Sequence, residues 1–305
     1  MPDVSVVVVT YEGRELLRRC LSALAGDEPH EATRELIVVD QASTDGTAEW
    51  LRAEHPEARL VPLELNVGFG AGNNRGAAAA EGRWLLLLNS DCFVDPGAID
   101  ELVRFGDARP QTGIVAPRLR FTDGRLQRSC RRFPSPYRIA TEYLYLRKLA
   151  PGSAVLNGFY CGDFAHDAPR RVDWLTGACL LVRRELYERL GGFDESFFMY
   201  SEEVDLCRRA LDLGFETWFD PAAGATHVWG GTTKRDPGPA LRENVRSQLR
   251  YLDRHEGRAS AEAARGVMLA GLALRAPRSR SHRAAASWLA RRRVAGLLRD
   301  DATER

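Results

Sequence analysis

The chain has 305 residues, and its 43 Lys and Arg residues nearly balance its 42 Asp and Glu residues, giving a formal net charge of +1. This balance argues against a protein that binds nucleic acid through bulk electrostatics, while the length allows one large α/β domain or two smaller ones. The six cysteines are scattered without a CxxC pair, so neither a zinc site nor a disulfide framework is predicted, and reduced cytosolic thiols are expected.

Neither a targeting segment nor a membrane-spanning segment is expected. Asp3 precedes the first apolar run, residues 4–9, and neither a basic segment nor a small-residue cleavage site frames that run. The longest apolar stretch near the C-terminus, residues 266–274, is about half of the roughly 20 residues that a spanning helix requires.

Strand-like and helix-like segments alternate along the first third of the chain. Short apolar or β-branched runs predict strands, and amphipathic or alanine-rich stretches between them predict helices. This alternation is typical of the α/β class, with a parallel sheet and helices on both of its faces. The predicted strands are residues 4–9, 36–40, 59–65 and 84–88, and the predicted helices are residues 14–24, 48–54 and 73–81.

The strand predicted at residues 84–88 ends abruptly in Asn89-Ser90-Asp91. Ligands of open α/β sheets bind at the carboxyl ends of the strands, so Asp91 is a candidate for contact with a metal ion or a substrate. Asp is also a favoured capping residue, and a turn or a cap on the following helix is the alternative interpretation.

Residues 66–72 are predicted to form a glycine-rich loop before the third helix. Its three glycines resemble part of a dinucleotide-binding fingerprint, but Asn73 stands where the last glycine belongs, and the loop follows the third strand instead of the first. A nicotinamide or flavin site, and hence a dehydrogenase, is therefore disfavoured. Backbone contact with the phosphate or ribose of a nucleotide is the expected role.

Two acidic residues, Glu202 and Glu203, follow an aromatic cluster at residues 197–200 and precede a predicted helix at residues 204–213. A helix dipole stabilises acids at its N-terminus, so ordinary first-turn residues are one interpretation and a functional carboxylate is the other. His227 stands close to two glycines, and a lone histidine is more often structural than a ligand.

The rest of the second half is less regular until about residue 234, where it becomes helical and rich in arginine. Its basic tail could rest on an anionic membrane surface, and an ordinary solvated helical face is the alternative. Strand-like stretches are residues 113–121, 172–182 with a break at 176–178, and 215–219, and helices are predicted at residues 184–190, 241–255, 259–274 and 282–298.

Taken together, six motifs resemble those of glycosyltransferase family 2, which contains inverting enzymes with a GT-A fold. Within that family the chain is most similar to the bacterial rhamnosyltransferase-like enzymes of cell-wall and surface-polysaccharide synthesis. The motifs follow the family's order, and they are residues 7–11, 38–47, 66–76, 88–91, 174–178 and 197–206.

The resemblance implies a role for each matching position. Asp91 would bind a divalent cation, Mg²⁺ or Mn²⁺, with His227 completing the metal site. Glu203 would be the general base, with Glu202 as its neighbour. The nucleotide-sugar donor would contact Thr10, Tyr11, Asp40, Asn66, Gly68, Arg75, Asn89 and Ser90. The donor sugar and the acceptor would be bordered by Trp174, Thr176, Gly177 and Ala178.

Two departures from the family pattern leave questions open. The family's DxD motif is here Asn89-Ser90-Asp91, which supplies one acidic ligand instead of two. The family's Glu-Asp pair is here Glu202-Glu203, so the sequence leaves open which glutamate reaches the acceptor.

The expected protein is an α/β enzyme with a GT-A domain at residues 1–231 and a basic helical extension at residues 232–305. As the resemblance implies, it would be a metal-dependent inverting transferase that moves a sugar from a dTDP- or UDP-sugar, for example L-rhamnose from dTDP-rhamnose. The acceptor would be a hydroxyl of a glycan or lipid-linked glycan. A non-catalytic nucleotide-binding or scaffold protein with the same core is the alternative. The expected location is the cytoplasm, with peripheral contact at the inner face of the plasma membrane.

Overall fold

A mixed β-sheet forms the centre of the part of the chain that the computed structural model describes, residues 1–27, 31–228 and 237–299. In chain order the strands are β1 (Val4–Thr10), β2 (Arg34–Asp40), β3 (Arg59–Pro62), β4 (Trp84–Asn89), β5 (Cys92–Val94), β6 (Thr112–Arg120), β7 (Leu126–Gln127), β8 (Cys130–Arg131), β9 (Arg170–Val172), β10 (Trp174–Leu175), β11 (Cys179–Arg183) and β12 (Glu216–His227). The main sheet has the order β3-β2-β1-β4-β11-β6-β12-β5, with β7 beside β6 and β9 beside β12, while β8 and β10 pair separately.

Helices cover both faces of this sheet. Leu17 and Ile99 pack in the buried cluster on one face, and Leu206 packs in the cluster on the other. The helices are α1 (Arg14–Gly26), α2 (Thr47–Glu54), α3 (Phe69–Ala77), α4 (Ala98–Asp107), α5 (Pro136–Tyr143), α6 (Arg184–Leu190), α7 (Glu202–Asp212), α8 (Pro237–His255), α9 (Arg258–Arg275), α10 (Arg280–Ala290) and α11 (Val294–Arg299), with 3-10 turns at Leu146–Lys148, Gly158–Tyr160 and Ala276–Arg278.

Alternate residues of the central strands pack on opposite faces of the sheet. Leu85 and Leu87 join one buried cluster, while Leu86 and Leu88 join the other. A strand that is covered on both faces needs apolar side chains in both directions, which explains why residues 84–88 form an uninterrupted apolar run.

The alternating βα series produces the parallel half of the sheet, as predicted. β1 pairs in parallel with β2 and with β4, and β2 pairs in parallel with β3. The register places Thr10 opposite Asp40 and Val9 opposite Asn89, so the carboxyl ends of these strands meet at one edge.

The strands that follow Asp91 make the sheet mixed. β11 runs antiparallel to both β4 and β6, and β12 runs parallel to β6 and antiparallel to β5. Because β11 points the opposite way, it begins at the edge where β4 ends, with Cys179 opposite Leu88. The backbone N–H of Asn89 donates to the carbonyl oxygen of Ala178 at 3.0 Å, which fixes residues 176–178 at that edge.

Two helical segments differ from the sequence-based expectation. Helix α3 begins at Phe69, so much of the predicted glycine-rich loop is the first turn of a helix. Its glycines permit close packing on β1, because a Cβ at Gly76 would lie 2.3 Å from the Val7 side chain. The single helix predicted at residues 282–298 is two helices, α10 and α11, interrupted at residues 291–293.

The C-terminal helices share the hydrophobic core of the sheet. Leu249 of α8, Met268 of α9 and Leu289 of α10 are fully buried and belong to the same cluster as Leu85 and Leu87 of β4. The domain boundary predicted between residues 231 and 232 lies outside the described residues. Among the helices of the described ranges, none combines the length and the apolar character needed to cross a membrane.

Candidate active site

A cavity of about 320 Å³ opens at the edge where β1 and β4 end. Strand ends, the start of α3 and the N-terminus of α7 all contribute to its wall, so it collects residues that are far apart in the sequence. The predicted site residues that line it are Thr10, Tyr11, Asn66, Gly68, Asn89, Ser90, Asp91, Thr176, Gly177, Ala178, Glu202, Glu203 and His227.

The end of this cavity nearest β1 and β2 presents polar groups. Thr10 Oγ1 is buried and has no hydrogen-bond partner within the described part of the chain, so it is a polar atom that a ligand could satisfy. Gln41 also lines the cavity, and its Oε1 accepts a hydrogen bond from the backbone N–H of Val67 at 3.0 Å. Asp40 lies beneath this surface, where burial raises the pKa of its carboxyl group.

Gly68 connects the start of α3 to the acidic segment. Its φ of +90° is in the region that favours glycine, and a Cβ there would lie only 2.2 Å from the carbonyl oxygen of Phe198. The backbone N–H of Phe69 donates to that same oxygen at 3.0 Å. This contact brings the aromatic segment before α7 into the wall of the cavity.

Asp91 and His227 meet in the cavity wall, with 3.2 Å between Asp91 Oδ1 and His227 Nε2. The pairing of β12 with β5 produces this contact, since His227 lies opposite Cys92 and the N–H of Val228 donates to the Asp91 carbonyl oxygen at 2.9 Å. His227 Nδ1 lies 3.1 Å from Gln127 Oε1. If Nδ1 carries the proton that Gln127 accepts, Nε2 has a free lone pair facing Asp91.

An oxygen and a nitrogen ligand that converge in this way fit a divalent cation such as Mn²⁺, with the remaining positions open to phosphate oxygens and water. Within the described ranges, no group of three or more His, Cys, Asp and Glu side chains is arranged to hold a metal. Protein ligands alone would therefore hold a cation incompletely, which is consistent with a cation that binds together with a diphosphate.

Glu202 and Glu203 are positioned by an unusual turn. Tyr200 and Ser201, directly before α7, have φ values of 68° and 64°, a left-handed conformation that residues other than glycine rarely adopt. Such backbone strain is concentrated at functional sites. The turn directs both glutamates toward the cavity, and one carboxylate oxygen of each, Oε2, is buried without a hydrogen-bond partner among the described residues.

Burial raises the pKa of both carboxyl groups, but to different extents. Burial and the neighbouring charge of Glu203 raise the pKa of Glu202 well above its usual range. Burial raises the pKa of Glu203 to about 6, while backbone hydrogen bonds and the charge of Arg131 oppose a larger increase. The larger increase for Glu202 favours Glu203 as the member of the pair that ionises first as the pH rises.

A second cavity of about 480 Å³ adjoins the first. Side chains from α5, α8 and α9 line it, together with the segment that precedes α5. Thr176, Tyr200 and Glu203 line both cavities, so the Glu203 carboxylate lies in their common wall. Glu202 lines only the first of the two.

Three predicted site residues lie outside the first cavity. Asp40 is buried below it, and Trp174 lines the second cavity. Arg75 is in the second turn of α3, where its guanidinium forms an ion pair with Glu195 at 2.8 Å.

Several lining residues were not identified from the sequence. Gln41 directly follows Asp40 at the end of β2. Ligands bind at the carboxyl ends of strands, so this position could have identified Gln41 as a lining residue. Phe198 and Tyr200 belong to the aromatic cluster directly before the acidic pair, and that position was their signal. The arginines of the second cavity had no recognisable signal, because they come from elements that the sequence does not pair.

A model of the family described as glycosyl transferase family 2 matches residues 5–191, which is more than half of the chain. The chain belongs to this family. The predicted family and the predicted enzyme class, a glycosyltransferase, are thereby confirmed.

Relatives within this family include named rhamnosyltransferases. The glycosyltransferase is 34% identical over 270 residues to the N-acetylglucosaminyl-diphospho-decaprenol L-rhamnosyltransferase of Mycobacterium tuberculosis, and the match covers 84% of this chain and 87% of the relative. It is 25% identical over 266 residues to rhamnosyltransferase WbbL of Escherichia coli K12, covering 82% and 93% of the two chains. The predicted similarity to rhamnosyltransferase-like enzymes is confirmed.

Solved structures of other glycosyltransferases share the fold. A crystal structure of GalNAc-T7 with UDP, GalNAc and Mn²⁺ superposes with a TM-score of 0.62 at 17% identity, over 83% of this chain and 48% of that one. The mannosyltransferase PcManGT of Pyrobaculum calidifontis, in complex with GDP-Man and Mn²⁺, has a TM-score of 0.59 at 20% identity, over 99% and 86%. These similarities confirm the GT-A fold.

Proposed function

We propose that this glycosyltransferase is a metal-dependent inverting enzyme that transfers L-rhamnose from dTDP-rhamnose to a sugar hydroxyl of a lipid-linked N-acetylglucosaminyl diphosphate. The observation that carries the proposal is the position of Glu203 in the common wall of two cavities, with Asp91 and His227 facing the first. The name of the mycobacterial relative supports the choice of sugar and acceptor.

The first cavity is the proposed donor site. Thr10, Tyr11 and Gln41 would contact the nucleotide base, since they line the end of the cavity next to β1 and β2. Asp40 lies directly behind them and holds that surface in place through the pairing of β1 with β2. Asn66 and Gly68, which begin the turn into α3, would contact the ribose or the phosphates.

Asp91 and His227 would hold the divalent cation that the donor diphosphate brings. When bound, Mg²⁺ or Mn²⁺ supplies positive charge that neutralises the leaving diphosphate. Asn89 and Ser90 line the cavity beside this pair and would contact the donor, while Gln127 orients His227 through Nδ1. Residues 176–178 would border the sugar between the metal ligands and Glu203.

Glu203 is the proposed general base. In a single in-line displacement, the acceptor oxygen forms a bond to the anomeric carbon of the donor sugar while the bond from that carbon to the nucleotide diphosphate breaks. The proton of the acceptor hydroxyl passes to the Glu203 carboxylate. Attack from the side opposite the leaving group inverts the anomeric carbon, and this requires the base and the diphosphate to lie on opposite sides of the sugar.

Calorimetric titration with dTDP, UDP and GDP, with and without Mn²⁺, tests the donor site. We expect dTDP to bind most tightly and Mn²⁺ to strengthen its binding. The variant His227→Ala is expected to lose about tenfold or more of that Mn²⁺-dependent gain, because metal ligands and the groups that orient them typically contribute that much. His55→Ala, which changes a histidine paired with Glu57 outside the cavity, is the matched control.

Two outcomes of this titration would contradict the proposal. Failure of every nucleotide diphosphate to bind would favour the scaffold interpretation over a functional donor site. Binding of dTDP that is unaffected by Mn²⁺ in the unaltered enzyme would remove the role of Asp91 and His227 as metal ligands. Incubation with dTDP-rhamnose and a synthetic lipid-linked acceptor then tests the transfer itself.

Peripheral contact with the inner face of the plasma membrane is also proposed, because a lipid-linked acceptor resides there. A surface of exposed apolar and basic residues surrounds the junction of α9 with the segment that follows α5, where Arg275 Nε donates to Tyr145 Oη at 2.7 Å. Leu149 and Leu274 are 77% and 65% exposed there. Exposed arginines continue along the next turn and α10, at positions 278, 280 and 283.

Charge reversal tests this membrane surface without removing helices that belong to the core. The triple variant Arg278→Glu, Arg280→Glu and Arg283→Glu is expected to weaken binding to phosphatidylglycerol vesicles by at least about a hundredfold, since each basic residue near an anionic surface contributes about 1 kcal/mol and the introduced glutamates add repulsion. Sedimentation with the vesicles measures the change. A control triple variant reverses exposed arginines outside this surface, at Arg104, Arg125 and Arg171. Equal binding by the two variants would contradict the proposed surface.

A further inference from the structure

The second cavity is strongly basic. Arg131, Arg138 and Arg275 line it from three different elements, and Arg147 and His282 add further nitrogen groups. Against these, the acidic side chains in its wall are Glu142 and Glu203. Arg147 Nε lies 2.5 Å from Glu142 Oε2, so Arg147 and Glu142 form an ion pair, and the other three guanidiniums outnumber the remaining carboxylate, that of Glu203.

The three remaining arginines are held by neutral groups. Arg131 donates to the carbonyl oxygen of Cys130 at 3.0 Å, and Arg138 donates to that of Phe133 at 2.7 Å. Arg275 donates to the carbonyl oxygen of Gly271 at 3.0 Å, in addition to its hydrogen bond with Tyr145. Within the described ranges, none of the three forms an ion pair with a carboxylate.

These contacts orient the guanidiniums without pairing any of them directly with a carboxylate. Each arginine is half-buried, so the charge lies in a region with less solvent screening than an open surface. A guanidinium presents five N–H donors in a planar fork, and the backbone contacts use only some of them. The free donors match phosphate oxygens, which arginine binds in a bidentate manner.

The position of this basic cavity identifies what such an anion would belong to. Its wall includes Glu203, and Trp174 and Phe159 pack edge to face next to it with ring centroids 5.9 Å apart. A sugar resting against these rings would place a hydroxyl at the Glu203 carboxylate. Phosphate groups attached to that sugar would then lie farther into the cavity, toward α5 and α9.

We propose that Arg131, Arg138 and Arg275 bind the diphosphate of the acceptor in the second cavity and so hold the acceptor sugar at Glu203. This inference rests on the proposed function, because it assigns a second site to the same reaction. It also separates the two diphosphates chemically. The donor diphosphate would be held with a divalent cation by Asp91 and His227, whereas arginines would hold the acceptor diphosphate without a metal.

Binding of geranyl diphosphate, a short prenyl diphosphate, tests the arginine site directly. We expect this probe to bind the full-length enzyme in EDTA with dTDP present at saturation, and to bind the double variant Arg138→Gln, Arg275→Gln at least about tenfold more weakly. Arg104→Gln, which changes an exposed arginine on α4, is the matched control. Thermal unfolding verifies that the variants are folded, and Arg275→Lys tests charge without the planar fork. Unchanged affinity in the double variant would overturn the inference.

Transfer kinetics separate this inference from the proposed function. With the lipid-linked diphosphate acceptor, the KM of the double variant is expected to rise at least about tenfold. With a phosphate-free N-acetylglucosaminide, the increase in KM should be at least about tenfold smaller. An equal increase in KM for the two acceptors would overturn the assignment of the arginines to the acceptor diphosphate. Another outcome is that the unaltered enzyme transfers sugar to neither acceptor while geranyl diphosphate still binds through the arginines. That result would contradict the proposed reaction but support an anion-binding site in the second cavity.

Discussion

Replacing Glu203 by glutamine is expected to lower kcat for sugar transfer by about a hundredfold to ten-thousandfold, the range typical of a general base. The amide keeps the shape of the side chain but cannot accept the proton of the acceptor hydroxyl. Binding of dTDP with Mn²⁺, measured by calorimetry, should be retained because Asp91 and His227 are unchanged. A loss of nucleotide binding equal to the loss of activity would contradict a role limited to proton transfer.

Glu202→Gln is the matched control for this variant. Glu202 is buried, and its raised pKa favours the neutral form, so a neutral amide is a close substitute and we expect less than about a tenfold effect on kcat. Since one carboxylate oxygen of each glutamate has no hydrogen-bond partner among the described residues, both variants test a similar environment. A larger decrease in kcat for Glu202→Gln than for Glu203→Gln would make Glu202 the general base and Glu203 its neighbour.

The pH dependence follows from the same residue. The general base must be ionised, and burial raises the pKa of Glu203 to about 6. The value of kcat/KM for the unaltered enzyme should therefore be constant above that pH and fall about tenfold for each pH unit below it. This acidic limb should be absent from the residual activity of Glu203→Gln.

Replacing Asp205 by asparagine is expected to lower the free energy of unfolding by about 3–5 kcal/mol, the usual effect of removing one partner from a buried ion pair. Asp205 is fully buried in α7 and accepts hydrogen bonds from Arg209 Nε at 2.6 Å and from His255 Nε2 at 2.8 Å. The second of these ties the helix that begins with the glutamate pair to α8. Urea unfolding at neutral pH measures the loss.

The size of this effect should depend on pH. Burial alone would raise the pKa of Asp205, but the hydrogen bond from His255 and the charges of Arg209 and Arg254 lower it below its ordinary value. A carboxyl group with a lowered folded pKa contributes stability above its unfolded pKa and loses it as the pH falls through the folded value. The difference between the unaltered enzyme and Asp205→Asn should therefore be largest at neutral pH and shrink in acid.

Asp212→Asn is the control for the stability prediction. Asp212 is on the same helix and pairs with Arg208 at 3.2 Å, but its side chain is 55% exposed. Solvent screens such a pair, so we expect a change within about 0.5 kcal/mol. Comparable destabilisation by the two variants would show that α7 tolerates no loss of charge, and would remove the special role of the contact between α7 and α8.

Much of the fold could be predicted from local patterns. The strands of the first third were recognisable because a strand covered on both faces must be apolar at every position, as in residues 84–88. The start of α3 was misplaced because Phe69, Gly70 and Gly72 suggest a loop by propensity, while packing against β1 stabilises the helix. The interruption between α10 and α11 was missed because arginine is a good helix former.

Parts of the site were also predictable, but for a different reason. Asp91 stood out because an abrupt polar end to a buried strand lies at the ligand-binding edge. His227 had no such local signal, and only the antiparallel pairing of β12 with β5 brings it within 3.2 Å of Asp91. Arg75 occupies a motif position, but its guanidinium forms an ion pair with Glu195, a partner that lies 120 residues away in the sequence.

The sequence by itself determined the α/β class, the family and the set of residue types available for catalysis, because these follow from periodicity and from motifs within short stretches. The tertiary structure alone decided which glutamate reaches the common wall of two cavities, and it assembled three arginines from separate elements around the second. Burial, strand register and proximity between distant segments set pKa values and ligand geometry. None of these quantities is a property of a local stretch of chain.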